Sequence, residues 1–242
     1  MTDKKTNIKE KSPLNLAVLS NGKILALFAI SCTIIVGLIS ALTADKIKIQ
    51  QQKQLLQTLH AIIEPASYDN DIANDCIMMS SPALGSSEIQ KTYIARKADQ
   101  IVAVAMTAVA PDGYSGDIEL IIGINYDNSI SGLRVLKHQE TPGLGDKIEL
   151  RKSDWIKSFN NKKILSDDDS RWAVVKDNGM FDQFTGATIT PRAVVKAVKN
   201  ALSYFIENKQ SLLSQINACD TETGTIEQVA NNSRHQISKQ EG

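Results

Sequence analysis

The stretch DIELIIGINYDNSISGLRVLKH, residues 117–138, decides the fold class of this chain. Two largely apolar runs, 117–126 and 130–138, flank Asp127-Asn128-Ser129, a sequence typical of a hairpin connection. Upstream, residues 101–110 are apolar and partly alternating, so they predict a third strand. Three consecutive strands joined by short turns indicate an antiparallel sheet.

Downstream, residues 190–216 predict the main helix of the soluble part. Thr190 is expected to be the N-cap, and Pro191 suits the first turn. Val194, Val198 and Phe205 recur at three-to-four spacing and give the helix one apolar face to lay on the sheet. The fold class is therefore α+β, with helices covering one face of a mainly antiparallel sheet.

Shorter elements are expected around this framework. Residues 153–159 predict a short helix and residues 172–176 a further strand. Residues 65–87 are rich in Ser, Asn, Asp and Pro and predict a loop with short elements.

An apolar segment, ILALFAISCTIIVGLISALTA at residues 24–44, runs for 21 residues without a charge. As a helix it spans about 31 Å, which matches a hydrocarbon core of roughly 30 Å. Lysines within residues 1–23 predict a cytoplasmic N-terminus, so the rest of the chain is expected outside. A cleaved signal peptide is the alternative. The run exceeds the roughly 7–15 apolar residues of such peptides, which favours an uncleaved anchor.

The remaining organisation follows from composition. Residues 45–63 predict a helix that leaves the membrane with one apolar face, within a membrane-proximal region ending at residue 98. The main domain is expected over residues 99–218. The polar segment 219–242 lacks large apolar groups and predicts a disordered tail.

Charge and cysteine usage exclude several classes of function. The 27 basic and 27 acidic residues cancel, so nothing favours a nucleic-acid partner. Three cysteines are too few and too scattered for an iron–sulfur cluster. Only Cys76 and Cys219 lie outside the apolar run, and they either pair in an oxidising compartment or remain free thiols. The three histidines are far apart, so no metal site is expected.

Residues 182–191, DQFTGATITP, place small residues and hydroxyls just ahead of a helix N-terminus. Unpaired N–H groups and the helix dipole favour an anion there. A phosphate on Thr185, Thr188 or Thr190 would be stabilised at this position. An ordinary capped turn has the same composition, and the residues alone leave both interpretations open.

Two loops have the composition of a ligand site. In residues 138–146, HQETPGLGD, the glycines allow a flat ligand to approach the backbone, and Leu144 could cover an aromatic ring. In residues 111–116, PDGYSG, Tyr114 could pack beside a cofactor or close the end of the sheet. The alternatives are a rigid surface loop and a simple turn. No serine-hydrolase elbow, Walker loop or dinucleotide glycine pattern is present.

The motif Asp182-x-x-Thr185-Gly186-Ala187-Thr188 resembles the signature of FMN-binding domains that a dedicated flavin transferase modifies. Together, PDGYSGDI, HQETPGLGDKIELRKSDW and DQFTGATITPRAVVKAV resemble the G subunit of the Rnf-type (Rsx-type) ion-translocating electron transport complex. The likeness runs from the anchor to about Cys219. The C subunit of the sodium-pumping NADH:quinone reductase shares the short signature and is one alternative, and a non-redox extracytoplasmic binding module is another.

The resemblance implies a covalent-FMN electron carrier in the inner membrane, working with iron–sulfur, flavin and membrane subunits and not as an independent enzyme. FMN is expected in phosphoester linkage to Thr188, which holds the cofactor and is not a catalytic nucleophile. Asp182 is expected to be recognised by the transferase. The residues expected to line the cofactor are Glu140, Thr141, Leu144, Gly145, Thr185 and Gly186.

Overall fold

The computed structural model describes residues 13–166 and 168–219, so the predicted tail lies outside the described residues except for Cys219. Two compact units make up the chain, Met1–Lys53 and Gln54–Gly242. Helix α1, Pro13–Ile62, contributes to both. Its part Asn21–Ile62 contains a window long and apolar enough to cross a membrane, and none of that window is buried. The expected helix over residues 24–44 is confirmed as a candidate membrane span.

A five-stranded antiparallel sheet forms the centre of the second unit. Its strands follow one another in space in chain order, as in a meander. The predicted hairpin is confirmed, because Asn128 adopts a positive φ of 64° and Asp127 Oδ1 accepts a hydrogen bond from Ser129 N. The strands are β1 (Cys76–Ser81), β2 (Ser86–Lys97), β3 (Gln100–Ala110), β4 (Ile118–Asn125) and β5 (Ile130–Lys137).

The first two strands correct the expectation for residues 65–87. That segment contains β1 and the start of β2, so the sheet begins upstream of residue 99. β1 is a short edge strand, and the first half of β2 is exposed and polar, so neither shows a clear apolar alternation. Residues 172–176 are also not a strand, since Val174 forms only an isolated bridge with Phe181. The short helix is confirmed as a 3₁₀ helix, Asp154–Phe159.

One face of the sheet is covered by helix α2, Ile189–Leu213. Its apolar stripe, including Val194, Val198 and Phe205, is fully buried, which confirms the predicted periodicity. Aromatic side chains of the segment between β5 and α2 complete this core, among them Phe159 and Phe181.

The opposite face is covered as well, which corrects the expectation of helices on one face only. The last turns of α1 bury Leu59 and Ile62 in a second, smaller core with the small residues of β2 and β3. Gly132 on β5 has no room for a side chain, because a Cβ there would lie 2.7 Å from the Ile62 Cα. The absence of a side chain at this position lets the helix end approach the strand backbone.

Cys76 and Cys219 form a disulfide, with their Cα atoms 5.3 Å apart. The side chain of Asn217 supports it, because its Oδ1 accepts hydrogen bonds from the backbone N–H groups of both cysteines at 3.0 and 2.9 Å. The bridge fastens the segment after α2 to the start of β1. Cys32 in α1 is free.

Candidate functional site

Sheet topology brings the two glycine-containing loops together. In an antiparallel meander the end of β3, the start of β4 and the end of β5 lie at one end of the sheet. The loop 111–116 joins β3 to β4, and the loop 138–146 follows β5. Both therefore emerge at the same end, where the first turns of α2 also lie. Lys196 of α2 forms an ion pair with Asp112 at 2.5 Å, which fastens the first loop to the helix.

Glu140 is the centre of this arrangement. Its side chain is only 4% exposed, although a carboxylate is rarely buried without a charged partner. Oε1 accepts a hydrogen bond from Ser115 N at 3.0 Å, and Oε2 accepts one from the Thr190 hydroxyl. One buried carboxylate thus joins the loop after β5, the loop between β3 and β4, and the first turn of α2.

Gly145 is required for this packing. A Cβ at this position would lie 2.8 Å from both Glu140 Oε2 and Thr190 Oγ1. The preceding loop is closed by the Thr141 carbonyl, which accepts hydrogen bonds from Leu144 N and Gly145 N, both at 3.1 Å. Gly145 is buried with Glu140, whereas the Leu144 side chain remains exposed at the surface.

Thr188 occupies the N-cap position of α2, and its hydroxyl makes no capping hydrogen bond. The expectation that Thr190 caps the helix is wrong. Thr190 lies inside the first turn, where its side chain is buried and bonded to Glu140. The half-buried Thr188 hydroxyl is therefore placed at the positive end of the helix dipole without using a capping interaction.

The turn before α2 presents the rest of the motif at the surface. Asp182, Thr185 and Gly186 are exposed, and the turn is closed by a hydrogen bond from Ala187 N to Phe184 O at 3.1 Å. Gly186 adopts a φ of +80°, which favours glycine. A Cβ on Gly186 would lie 3.5 Å from Leu144 Cδ2, so the loop after β5 and this turn are in van der Waals range.

The surface around Thr188 is apolar in part. Leu144, Ile189 and Tyr114 expose 41%, 46% and 67% of their surface. They come from the three segments that Glu140 and Gly186 bring together. A cavity of about 410 Å³ lies along β5 and is lined by Arg134, Val135, Glu149, Leu150 and Arg151, none of which was predicted to line the cofactor. We call the partly apolar surface around Thr188, to which Leu144, Ile189 and Tyr114 contribute, the shelf.

Next to the shelf, His138 and Arg151 both bond to the Glu149 carboxylate. His138 Nδ1 accepts a hydrogen bond from Glu140 N at 3.0 Å, so its Nε2–H points to Glu149 Oε1 at 2.8 Å. Hydrogen bonds from Arg151 and His138 lower the pKa of Glu149 to about 2. Among the described residues, no group of three potential ligands could hold a metal ion.

Every residue predicted for the site lies in one of the three segments that meet here. Thr188, Thr185, Gly186 and Asp182 are on the turn before α2, and Glu140, Thr141, Leu144 and Gly145 are on the loop after β5. Ser115 and Thr190 complete the cluster, and both roles depend on contacts distant in sequence. No local pattern singled out Ser115, and the local pattern at Thr190 predicted a helix cap and not a bond to Glu140.

Two family models match the chain. The FMN-binding domain matches residues 113–203, and the RnfG N-terminal region matches residues 13–62. The first match contains residues 113–116 of the loop between β3 and β4, the loop 138–146, the turn before α2 and the first turns of α2.

Full-length relatives are similar to the chain over most of its length. The G subunit of the ion-translocating oxidoreductase complex of Shewanella oneidensis is 51% identical over 208 residues, covering 86% of this chain and 98% of that protein. The protein of the same name from Vibrio cholerae O1 El Tor Inaba is 48% identical over 204 residues, covering 84% and 98%. That from Pseudoalteromonas atlantica is 49% identical over 203 residues, covering 84% and 94%.

Proposed function

The chain belongs to the G-subunit family of ion-translocating oxidoreductase complexes, and from this membership we propose that it is an FMN electron carrier in such a complex. Its partners are the complex's other subunits. One observation carries the proposal. Thr188 lies at the N-cap of α2, inside the matched FMN-binding domain, and its hydroxyl makes no capping hydrogen bond. The relatives are G subunits of ion-translocating complexes, which favours this family over the quinone-reductase relative.

The residues of the shelf fit FMN. A phosphate on Thr188 Oγ1 would face the N-terminal N–H groups of α2, where an anion is stabilised by about 0.3–1 kcal/mol. Gly186 leaves the neighbouring backbone accessible, and nothing lies within 4 Å of the Cβ position at Gly143. The exposed side chains of Leu144, Ile189 and Tyr114 offer apolar surface to a flat ring system.

The attachment is a phosphoester to Thr188, added by a flavin transferase that recognises Asp182. The half-buried Thr188 side chain, whose hydroxyl makes no capping hydrogen bond, and the exposed Asp182 support this proposal. The electrostatic gain at the helix N-terminus is too small to retain FMN by itself, so the covalent bond retains it and the helix orients the phosphate.

Bound FMN supplies reversible electron transfer, and the protein supplies binding, orientation and electrostatics. Glu140 holds the three segments of the shelf in fixed relation, since Ser115 and Thr190 both bond to it. The Leu144 side chain borders the turn, because a Cβ on Gly186 would lie within van der Waals range of its Cδ2 atom. Glu140, Thr141 and Gly145 therefore shape the cofactor site, and Leu144, Thr185 and Gly186 form its surface.

The domain that carries the shelf lies outside the cytoplasmic membrane, anchored by α1. Upstream lysines favour a cytoplasmic N-terminus. The disulfide between Cys76 and Cys219 supports an outside location, because such bonds persist in oxidising compartments. The anchor is uncleaved, because its apolar run is longer than the roughly 7–15 apolar residues of a cleaved leader.

Intact-mass measurement tests the attachment. The full-length chain is expressed with and without a flavin transferase, and the expected gain with the transferase is one FMN less one water. Thr188→Ala should abolish the gain, and Thr188→Ser, which retains the hydroxyl, should keep it. A gain that survives Thr188→Ala, or no gain in the wild type, would refute the assignment. The same spectrum reports the N-terminus, and a start near Ala44 would indicate a cleaved leader.

A further inference from the structure

Trp155 holds the turn of the FMN-attachment motif from the protein interior. Its indole Nε1–H donates a hydrogen bond to the carbonyl oxygen of Asp182, the first residue of the motif, at 2.8 Å. Trp155 lies in the 3₁₀ helix Asp154–Phe159 and is 9% exposed. The contact spans 27 residues of sequence.

Aromatic packing fixes the orientation of this indole. Phe184 of the motif meets it edge-on, with ring centroids 5.1 Å apart and planes at 70°. Trp155 also packs edge-on against Phe159, with ring centroids 5.3 Å apart, and Phe159 stacks on Phe181 at 4.3 Å. Edge-to-face contacts of this kind stabilise a pair beyond the area they bury. The turn is thus attached to a rigid cluster in the core.

Residues of the motif from Asp182 to Thr188 differ in whether they face the core or the solvent. Phe184 is buried, and the Gln183 side-chain oxygen accepts a hydrogen bond from Lys176 N at 3.1 Å. Within residues 13–166 and 168–219, the Asp182 carboxylate has no hydrogen bond or ion pair, and it is exposed together with Thr185 and Gly186. Gln183 and Phe184, the two unspecified positions of the motif, therefore hold the turn, whereas Asp182, Thr185 and Gly186 face outward and Ala187 and Thr188 are half-buried.

We propose that Trp155 is a positioning residue for FMN attachment, which holds Asp182 and the following turn in the conformation that the flavin transferase binds. The proposal rests on the proposed attachment at Thr188. The flavin transferase must recognise Asp182, Thr185 and Thr188 together, in one fixed arrangement. The Trp155 hydrogen bond restricts the backbone at the first of these residues.

Trp155 takes no part in the chemical step. A phosphodiester on Thr188 needs an activated phosphate, which a flavin dinucleotide provides. The Thr188 Oγ1 forms a bond to the FMN phosphorus, the anhydride P–O bond breaks, the nucleoside monophosphate leaves, and the hydroxyl proton passes to solvent. Losing Trp155 only lowers the fraction of acceptor in the binding-competent conformation. The apparent affinity of the transferase for the acceptor decreases in proportion to that fraction, while the rate at saturating acceptor is retained.

The matched pair Trp155→Phe and Trp172→Phe separates this role from general core packing. Trp172 belongs to the same aromatic cluster, is 5% exposed, and its Nε1 has no hydrogen-bond partner among the described residues. Initial rates of FMN transfer from flavin adenine dinucleotide are measured by intact mass against increasing concentration of full-length acceptor. Melting temperatures are measured in parallel.

We expect Trp155→Phe to raise the KM for the acceptor about three- to tenfold, the effect of losing one hydrogen bond, with kcat unchanged. Trp172→Phe should match the wild type. Wild-type kinetics for Trp155→Phe, an equal KM increase in both variants, or a loss confined to kcat would overturn the proposal. If no chain gains FMN, including the wild type, the proposed function itself fails and this role fails with it.

A second variant covers the case in which Trp155→Phe does not fold. The sequence has 2 tryptophans, so Trp155 is the one that remains in the Trp172→Phe variant. Replacing it biosynthetically with benzothienylalanine substitutes sulfur for the N–H and keeps the ring shape. The same rise in KM is expected, and an unchanged KM would contradict the proposal.

Discussion

Thr190, in the first turn of α2, donates its hydroxyl hydrogen to Oε2 of Glu140, which lies 50 residues away in the loop after β5. Both side chains are buried, at 1% and 4% exposure. Threonine is well suited to cap a helix, but Thr190 forms a tertiary contact instead. The N-cap position is occupied by Thr188. The Thr188 hydroxyl makes no capping hydrogen bond there, which leaves it available for the proposed attachment.

Removing the Thr190 hydroxyl should destabilise the domain. Thr190→Val keeps the side-chain shape but deprives the buried Glu140 carboxylate of the hydrogen bond to its Oε2 atom. We expect the free energy of unfolding to fall by about 1–3 kcal/mol. Urea unfolding followed by tryptophan fluorescence measures this change. Thr190→Ser retains the hydroxyl and should lose less, so equal losses in the two variants would contradict the role given to the bond.

The disulfide makes a second prediction. Cys76→Ser removes a bridge between residues separated by 143 positions. Closing so long a loop restricts the unfolded chain, so we expect a loss of about 2–5 kcal/mol in the free energy of unfolding. Urea unfolding with and without reductant should reproduce the difference in the wild type. Cys32→Ser is the control and should match the wild type. Alkylation of three thiols in the unreduced, unfolded protein would show that the bond does not form.

A third prediction concerns the contact between Gly132 and the end of α1. In Gly132→Ala the new Cβ would lie 2.7 Å from the Ile62 Cα and 3.0 Å from its Cβ, so the helix end must shift. Overpacking of this kind typically costs about 1–3 kcal/mol. Thermal or urea unfolding measures the loss. Ser131→Ala, in the same strand, removes a buried hydroxyl without a hydrogen-bond partner among the described residues and should be neutral or stabilising. Wild-type stability in Gly132→Ala would argue against this packing.

Acid should weaken the domain through Glu149. Its pKa is about 2 in the folded chain, because Arg151 and His138 bond to the carboxylate. The ordinary value of a glutamate in an unfolded chain is about 4.3. The resulting stabilisation is complete above that value and is lost as the pH falls towards 2, since the unfolded state binds the proton first. The difference in urea midpoint between wild type and Glu149→Gln should therefore shrink over this interval. A constant difference would contradict the coupling.

Sequence periodicity and length were enough for the larger elements. The 21 uncharged residues at 24–44 predicted a membrane-spanning helix, and the candidate span of α1 contains them. The hairpin around Asp127 and the apolar stripe of α2 were also predicted, because both depend on neighbours in sequence. β1 and β2 were missed since an edge strand and a half-exposed strand carry little apolar alternation.

The residues of the candidate site also separate into those that the sequence predicted and those that it did not. The motif from Asp182 to Thr188 and the glycine loop at 138–146 were recognised from local residue types and family resemblance. Ser115 and Trp155 were not, because each acts through one hydrogen bond to a residue 25 or 27 positions away. Nothing in the flanking sequence distinguishes such a residue from one that makes no contact.

The sequence by itself determined the candidate membrane-spanning helix, the antiparallel hairpin, the covering helix and the position of the motif from Asp182 to Thr188, because these depend on hydrophobic periodicity and on short segments. Only the tertiary structure decided that Thr190 bonds to Glu140, that Cys76 pairs with Cys219, and that the end of α1 covers the second face of the sheet. Those contacts join distant segments. Their formation depends on how the chain closes loops around a shared core, which no local pattern encodes.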